Sequence, residues 1–188
     1  RKANTANIGL EHTDIATNER GAIVVNDTCE SSVPGVYAVG DVNGGPQFTY
    51  ISLDDFRIVF GALTGNGQYT LKDRKNIPYT TFLTPPLARI GLTEEDAINK
   101  GYTVKTKEML VATMTRAHVN DYLKGAFKIV VDAENNLILG ATLYSQGAEE
   151  LINLIKMAMD NNIQYTYFKN QIFTHPTMAE NLNDLCNF

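Results

Sequence analysis

The chain has 188 residues, 44% of them hydrophobic, and a formal net charge of −5, which is enough material for one or two domains with real cores. The negative balance argues against nucleic acid or an anionic membrane as a partner, and no apolar run approaches the roughly 18 residues needed to cross a bilayer. No secretory signal is visible, and two distant cysteines, Cys29 and Cys186, have neither redox nor zinc spacing, so we expect a cytoplasmic protein without a metal site.

Residues 1–75 have the features of an α/β segment. Short β-branched apolar runs predict strands at residues 23–26 and 36–39, and the second run is typical of a strand buried on both faces. Asp41 directly follows Gly40 at the end of this strand, which is where open α/β sheets bind their ligands. A carboxylate there can accept hydrogen bonds from a sugar or polyol, although Gly-Asp also ends many strands in a plain turn.

A Gly-Gly-Pro loop and a helix come next in the chain. Apolar residues recur at helical spacing over residues 49–63, which predicts a helix that begins just after this loop. The order strand, loop and helix brings backbone N–H groups and the positive end of a helix dipole to the same crevice as Asp41. A charged stretch at residues 72–76 predicts a solvated linker, and with it a boundary between residues 1–75 and 76–188.

Residues 76–188 are predicted to form an α+β domain. Thr93 caps a helix that begins with three acidic residues and closes at Gly101, and residues 133–136 supply the turn of a hairpin. A helix at residues 148–160 is apolar on most sides, which leaves open whether it meets a second subunit or forms a central core helix within one subunit. Strands are predicted at residues 79–83, 87–92, 109–114, 127–132 and 137–144.

A histidine and a glutamate five positions apart, His175 and Glu180, lie near the end of the chain. The spacing suits an acid–base pair at the mouth of a helix, because histidine titrates near neutrality and a nearby carboxylate fixes its orientation. Pro176 fits the first turn of such a helix. Thr177 and Glu180 also have the spacing of a capping box, in which the glutamate only reaches back to the helix start. The spacing alone leaves both interpretations open.

Several segments recur with the order and spacing of a known family: residues 9–11 (GLE), 33–41 (VPGVYAVGD), 82–94 (FLTPPLARIGLTE), 139–141 (LGA) and 175–180 (HPTMAE). They resemble the C-terminal part of the pyridine nucleotide-disulfide oxidoreductases, flavoprotein disulfide reductases that include glutathione reductase, dihydrolipoamide dehydrogenase and mercuric reductase. Residues 41–50, 53–57 and 173–185 are similar to bacterial reactive-chlorine-resistance flavoproteins, some of which are hypothiocyanous acid reductases. Mercuric reductases usually end in vicinal cysteines, whereas this chain has only Cys186 there, which disfavours that assignment.

The resemblance implies a fold, cofactors and partners. Residues 1–75 would be the C-terminal remnant of the nicotinamide- and FAD-binding domains, and residues 76–188 would be the dimerisation domain. The parent protein would be a homodimer that uses FAD and NAD(P)H to reduce a small-molecule oxidant or a disulfide.

The resemblance also implies roles for five residues. His175 would carry the proton and Glu180 would hold its ring, and both would serve the partner subunit. Asp41 would bind the ribityl hydroxyls of the flavin, and the backbone at Phe48 and Thr49 would face its pyrimidine edge.

Two motifs of the family are absent from the sequence, namely Gly-x-Gly-x-x-Gly and Cys-x-x-x-x-Cys. The first cradles a dinucleotide pyrophosphate, and the second is the redox pair of the family. We therefore expect a fragment that is inactive alone and binds no cofactor by itself. The alternatives are a non-catalytic dimerisation module, or a parent that is a dihydrolipoamide-dehydrogenase-like or a peroxide- or oxygen-reducing flavoenzyme.

Overall fold

The chain divides into two compact units, residues 1–75 and 76–188. The computed structural model describes residues 3–188. Within that range no helix has both the length and the apolar character that a membrane span requires.

One long helix dominates the described part of the first unit. Helix α1 spans Thr49–Thr64, which confirms the helix expected at residues 49–63. It ends at Gly65, whose φ of 72° places this residue in the left-handed region that commonly terminates helices. Short 3-10 turns lie at Leu10–His12, Gly40–Asn43 and Leu71–Asp73.

The strands predicted at residues 23–26 and 36–39 are wrong as strands. The described residues of this unit make only isolated bridges there, Thr17 with Ile23 and Glu30 with Tyr37. Cys29 has a φ of 63°, which interrupts the regular pairing that a continuous ladder needs. Burial on both faces is also wrong, since Val36 and Val39 are 38% and 39% exposed.

The second unit is built on a five-stranded antiparallel sheet with the order β1-β2-β5-β4-β3. Six helices and turns surround it, and an α+β class is therefore confirmed for this unit. The strands are β1 Tyr79–Thr81, β2 Leu87–Gly91, β3 Val104–Leu110, β4 Ala126–Asp132 and β5 Ile138–Tyr144. The helices are α2 Glu94–Asn99, α3 Thr115–Val119, α4 Ala148–Asp160, α5 Tyr165–Asn170 and α6 Asn181–Leu185, with a 3-10 turn at Val111–Thr113.

Local sequence signals account for two of these elements. Thr93 accepts a hydrogen bond from the Asp96 N–H at 3.0 Å and so caps α2 as predicted. In the β4–β5 hairpin, the Asp132 carboxylate accepts from the Glu134 N–H at 2.9 Å and from Asn135 Nδ2 at 2.8 Å. These contacts close the turn that the sequence predicts at residues 133–136.

Helix α4 packs one face on the sheet and leaves another exposed. Ile152 and Ile155 are 2% and 0% exposed, and burying each such side chain contributes about 1.5–3 kcal/mol. Leu154 and Met157 are 38% and 63% exposed. The helix is therefore a core helix on one side, while the opposite side remains available for association.

The strand expected at residues 109–114 is misplaced, because the chain there leaves the sheet for the 3-10 turn at Val111–Thr113. Strand β3 lies earlier, pairs with β4 at the end of the strand order, and carries Lys105 and Lys107 among its residues. Strands at a sheet edge often carry lysines and need no continuous apolar run, so the hydrophobic pattern pointed to the wrong segment.

Candidate functional site

His175 and Glu180 form a direct side-chain pair. His175 Nδ1 lies 2.8 Å from Glu180 Oε2, and the two side chains are 66% and 21% exposed. The hydrogen bond with His175 lowers the pKa of Glu180, and the Thr177 N–H contributes in the same direction. An ionised carboxylate only accepts hydrogen bonds, so Nδ1 is the donor and the proton-exchanging position of the ring is Nε2.

The reciprocal contacts of the expected capping box are present at the same glutamate, but they lie in the turn before α6, which begins at Asn181. Glu180 Oε1 accepts from the Thr177 N–H at 3.0 Å, and the Glu180 N–H donates to Thr177 Oγ1 at 3.2 Å. The two interpretations left open by the spacing are therefore compatible, since each carboxylate oxygen has its own partner. The expected position of Pro176 is wrong, because it lies in the turn before α6, which begins only at Asn181.

Buried contacts hold the segment that carries this pair. Leu182 and Leu185 of α6 are fully buried. Asn183 Nδ2 donates to the Phe168 carbonyl at 2.6 Å and to the Gln171 carbonyl at 2.9 Å, which ties α6 to the end of α5. Lys107 binds the far end of the segment through the carbonyls of Asp184 and Asn187, at 2.7 and 2.6 Å. The imidazole of His175 is thus exposed, whereas the helix α6 that follows it is held by buried side chains and hydrogen bonds.

The residues expected to contact a flavin surround the beginning of α1. Asp41 lies in the turn Gly40–Asn43 and is exposed, and no side chain or N–H within residues 3–188 donates a hydrogen bond to its carboxylate. Phe48 is the cap residue of the helix and stacks on Tyr50 with 5.0 Å between ring centroids. Thr49 is the first residue of the helix. A carboxylate that is available to accept hydrogen bonds suits the hydroxyls of a polyol. The N–H groups at a helix N-terminus suit a polar ring edge.

The turn that carries Asp41 fits closely against the helix. A Cβ on Gly40, whose φ is 73°, would lie 2.7 Å from Ser52 Oγ. Only glycine fits a position with both this φ and this contact. Glycine at position 40 is therefore favoured by packing against the first turns of α1.

Sequence reasoning missed the buried ion pair between Asp55 and Arg74. Asp55 is fully buried and accepts hydrogen bonds from the Gly40 N–H at 2.7 Å, from Asn43 Nδ2 at 2.9 Å and from Arg74. Arg74 is only 10% exposed and also donates through Nε to Asp54 at 2.7 Å. The prediction of a solvated linker at residues 72–76 is therefore wrong for Arg74. No periodic pattern connects a helical carboxylate with an arginine 19 residues later.

Across residues 3–188, no group of three or more His, Cys, Asp or Glu side chains has an arrangement that could hold an ion. Burial raises the pKa of the Cys186 thiol to about 12 and, together with the nearby Asp55 charge, that of Cys29 to about 11. Both thiols are free and buried.

Comparison with known families assigns the class of protein. The family described as "Pyridine nucleotide-disulphide oxidoreductase, dimerisation domain" matches residues 77–186. The family described as "Pyridine nucleotide-disulphide oxidoreductase" matches residues 1–55. The chain belongs to the pyridine nucleotide-disulfide oxidoreductases, and the resemblance drawn from its motifs is confirmed.

Individual relatives narrow this assignment. The chain is 46% identical over 185 residues to the probable pyridine nucleotide-disulfide oxidoreductase RclA of Escherichia coli strain K12, a match that covers 98% of this chain and 42% of that protein. It is 33% identical to a mercuric reductase of Staphylococcus aureus, over 97% of this chain and 33% of that protein. The solved structure of the HOCl-induced flavoprotein disulfide reductase RclA from Escherichia coli matches with a TM-score of 0.96 and 46% identity, over 99% of this chain and 43% of that one. The chain thus spans about two-fifths of the length of RclA and is RclA-like in sequence and fold.

Proposed function

We propose that this chain is the C-terminal part of a homodimeric, FAD-dependent and NAD(P)H-driven disulfide-type oxidoreductase of the cytoplasm. In this proposal it supplies the dimer interface and the His175–Glu180 acid–base pair, and it is inactive alone. Residues 1–75 complete the nicotinamide- and FAD-binding domains, and residues 76–188 form the dimerisation domain. The observation that carries the proposal is the 2.8 Å contact between His175 Nδ1 and Glu180 Oε2 on an exposed imidazole.

The chemistry of the pair follows from this contact. Glu180 fixes the proton on Nδ1, so that Nε2 of His175 can donate a proton to a leaving thiolate and recover it in the next step. When His175 is protonated, its charge also stabilises a thiolate placed beside it. The ring is two-thirds exposed, which supports the view that it acts on sulfur atoms outside its own unit, in the partner subunit.

The residues of the first unit suit the flavin side of this function. FAD, when bound, would accept hydride from NAD(P)H and pass two electrons on to a disulfide. Asp41 has an exposed carboxylate to which no donor among residues 3–188 is bonded, and it can accept hydrogen bonds from ribityl hydroxyls. The backbone at Phe48 and Thr49 lies at the positive end of the 16-residue helix α1 and can stabilise negative charge on a ring edge.

Homodimer formation is supported by apolar side chains that the second unit leaves exposed. Phe82 is 79% and Ile172 is 95% exposed, and Val119 is 61% exposed. Large exposed apolar side chains are common in association surfaces.

The substrate class that we propose is a small-molecule oxidant or a disulfide. Two buried free cysteines favour a reducing compartment.

The test uses the full-length protein that contains this chain. We expect His175→Gln to slow reoxidation of the reduced enzyme by substrate about 100-fold or more, while reduction of the flavin by NAD(P)H keeps its rate. His12→Gln is the matched control, because this histidine is 82% exposed and lies 3.7 Å from the carboxylate of Glu11. Equal reoxidation rates in the two variants would exclude the proton-transfer role. Rates with lipoamide, peroxide and oxygen as oxidants separate the alternative parent enzymes.

A non-catalytic dimerisation module is the second candidate. It is favoured by the absence of Cys-x-x-x-x-Cys from the sequence, because the chain then carries no redox pair of its own. Sedimentation of the isolated chain at high micromolar concentration tests this function, and a monomer under these conditions would contradict it.

A further inference from the structure

A buried carboxylate accepts hydrogen bonds from the turn that carries Asp41. Asp55 of α1 is 0% exposed, and its Oδ2 accepts both the Gly40 N–H at 2.7 Å and Asn43 Nδ2 at 2.9 Å. These two donors lie at the first and last residues of the turn Gly40–Asn43. One carboxylate oxygen therefore fixes both ends of a four-residue turn, and Asp41 lies between the two fixed points.

The charge that balances Asp55 comes from outside the helix. Arg74 donates to Asp55 Oδ1 through one terminal nitrogen and to Asp54 Oδ2 through Nε, the latter at 2.7 Å. Its side chain is only 10% exposed. Arginine is suited to this double contact because its planar fork of donors remains charged at all accessible pH values.

Burying an ion pair is costly, and a well-packed apolar replacement is often as stable or more stable. The best-attested benefit of such pairs is that they select one arrangement among several. The arrangement selected here is that of the turn, because two of the three hydrogen bonds to Asp55 come from it.

We propose that Asp55, neutralised by Arg74, is a positioning residue that sets the turn Gly40–Asn43 and thereby aims the Asp41 carboxylate at the flavin hydroxyls. The inference rests on the proposed role of Asp41 in flavin binding. It adds a residue to that site which itself does not touch the cofactor.

A pair of isosteric variants separates positioning from plain stability. In Asp55→Asn the amide nitrogen must face either the Arg74 donor or the donors of the turn, so at least one hydrogen bond becomes a contact between two donors. In Asp54→Asn the same arginine loses part of its ion pair, but no contact of the turn changes, because Asp54 bonds to Arg74, Arg57 and Tyr69. Asp54→Asn is therefore the matched control.

The experiment measures flavin affinity in the full-length protein after removal and readdition of FAD. We expect Asp55→Asn to raise the FAD dissociation constant about tenfold or more, which corresponds to ~1.4 kcal/mol, and to change the visible circular dichroism of the bound flavin. Asp54→Asn should keep the dissociation constant within about twofold, even where the melting temperature falls. An Asp55→Asn effect no larger than that of Asp54→Asn would overturn the inference.

Two further variants complete the test. If Asp55→Asn does not fold, Asn43→Ala removes one of the two hydrogen bonds between the turn and Asp55. This variant should raise the FAD dissociation constant severalfold, and an unchanged constant would overturn the inference. Asp41→Ala shows whether a negative result concerns the positioning role of Asp55 or the proposed flavin role of Asp41. If Asp41→Ala weakens FAD binding but Asp55→Asn does not, only the positioning role fails. If Asp41→Ala binds FAD normally, the proposed flavin role of this turn fails and the positioning role fails with it.

Discussion

Replacing Glu180 by glutamine removes the charge of the pair while keeping its shape. In the native chain Oε2 faces His175 Nδ1 at 2.8 Å and Oε1 faces the Thr177 N–H at 3.0 Å. Glutamine offers one oxygen and one NH₂ group to these two positions. If its oxygen stays on Thr177, the NH₂ group faces Nδ1 and imposes the opposite tautomer on the ring. If the oxygen faces Nδ1, the NH₂ group opposes the Thr177 N–H.

The two possible effects of Glu180→Gln differ greatly in size. The side chain of His175 is 66% exposed, so its contact with Glu180 stabilises the fold by no more than ~1 kcal/mol. A wrong tautomer, however, removes the proton donor from Nε2, and acid–base groups of this kind contribute about 100-fold to 10,000-fold in rate. We therefore expect reoxidation by substrate to slow about 100-fold while the free energy of unfolding changes by ~1 kcal/mol.

The pH dependence of stability gives the same variant a second readout. The folded state lowers the pKa of Glu180 below its ordinary value of 4.5. The stabilisation is therefore complete above that value and is lost as the pH falls through the lowered pKa. Glu180→Gln should lack this acid-dependent loss.

Stopped-flow absorbance on the full-length protein separates the half-reactions of Glu180→Gln. Flavin reduction by NAD(P)H should be unchanged, and only reoxidation should be slow. Glu95→Gln is the control, because Glu95 is an exposed glutamate on α2. The reasoning is refuted if Glu180→Gln and Glu95→Gln reoxidise equally fast.

Three further predictions concern stability and reactivity. Thr93→Ala removes the cap of α2 and should cost about 1 kcal/mol in chemical denaturation at pH 7; because the Thr93 hydroxyl also donates to the Asp96 carboxylate and lowers the pKa of Asp96 from its ordinary 3.8, part of this cost should disappear as the pH falls through the lowered value, and a constant cost would contradict the contact between this hydroxyl and this carboxylate. Ile155→Ala in the buried face of α4 should cost about 2–5 kcal/mol, whereas Met157→Ala, at a 63% exposed position, should cost under about 0.5 kcal/mol; similar unfolding midpoints would contradict the packing. Burial raises the pKa of Cys29 to about 11, so mass spectrometry should find this thiol alkylated at pH 8 only after denaturation, and rapid native labelling would contradict its burial.

Elements with strong local signals could be predicted from the sequence. Helical periodicity located α1 and α4, and the Thr93 cap located the start of α2. Strand β3 could not be located in this way, because an edge strand carries few apolar residues. The expected strand at residues 36–39 has the composition of a strand but, among the described residues, finds only a bridge partner. The composition of a segment shows that it can form a strand, but whether it does depends on a neighbouring strand that the segment itself does not specify.

The candidate site was partly predictable for the same reason. His175 and Glu180 are five positions apart, a distance over which a turn brings side chains together, so their contact follows from short-range geometry. Asp55 and Arg74 meet across 19 residues, and this meeting depends on how the chain returns after α1. Sequence patterns describe neighbours along a helix or a strand, and such a long-range ion pair has no pattern of its own.

The groups that orient His175 for its proposed role in the partner subunit all come from its own chain. Its orienting carboxylate, its turn and the buried α6 behind it all belong to residues 174–185. The imidazole is therefore oriented when its own chain folds, so that association with a partner subunit, as we propose it, would cost little further side-chain entropy. The rate at which such a proposed site assembles would then depend on how often two folded subunits meet in the correct alignment.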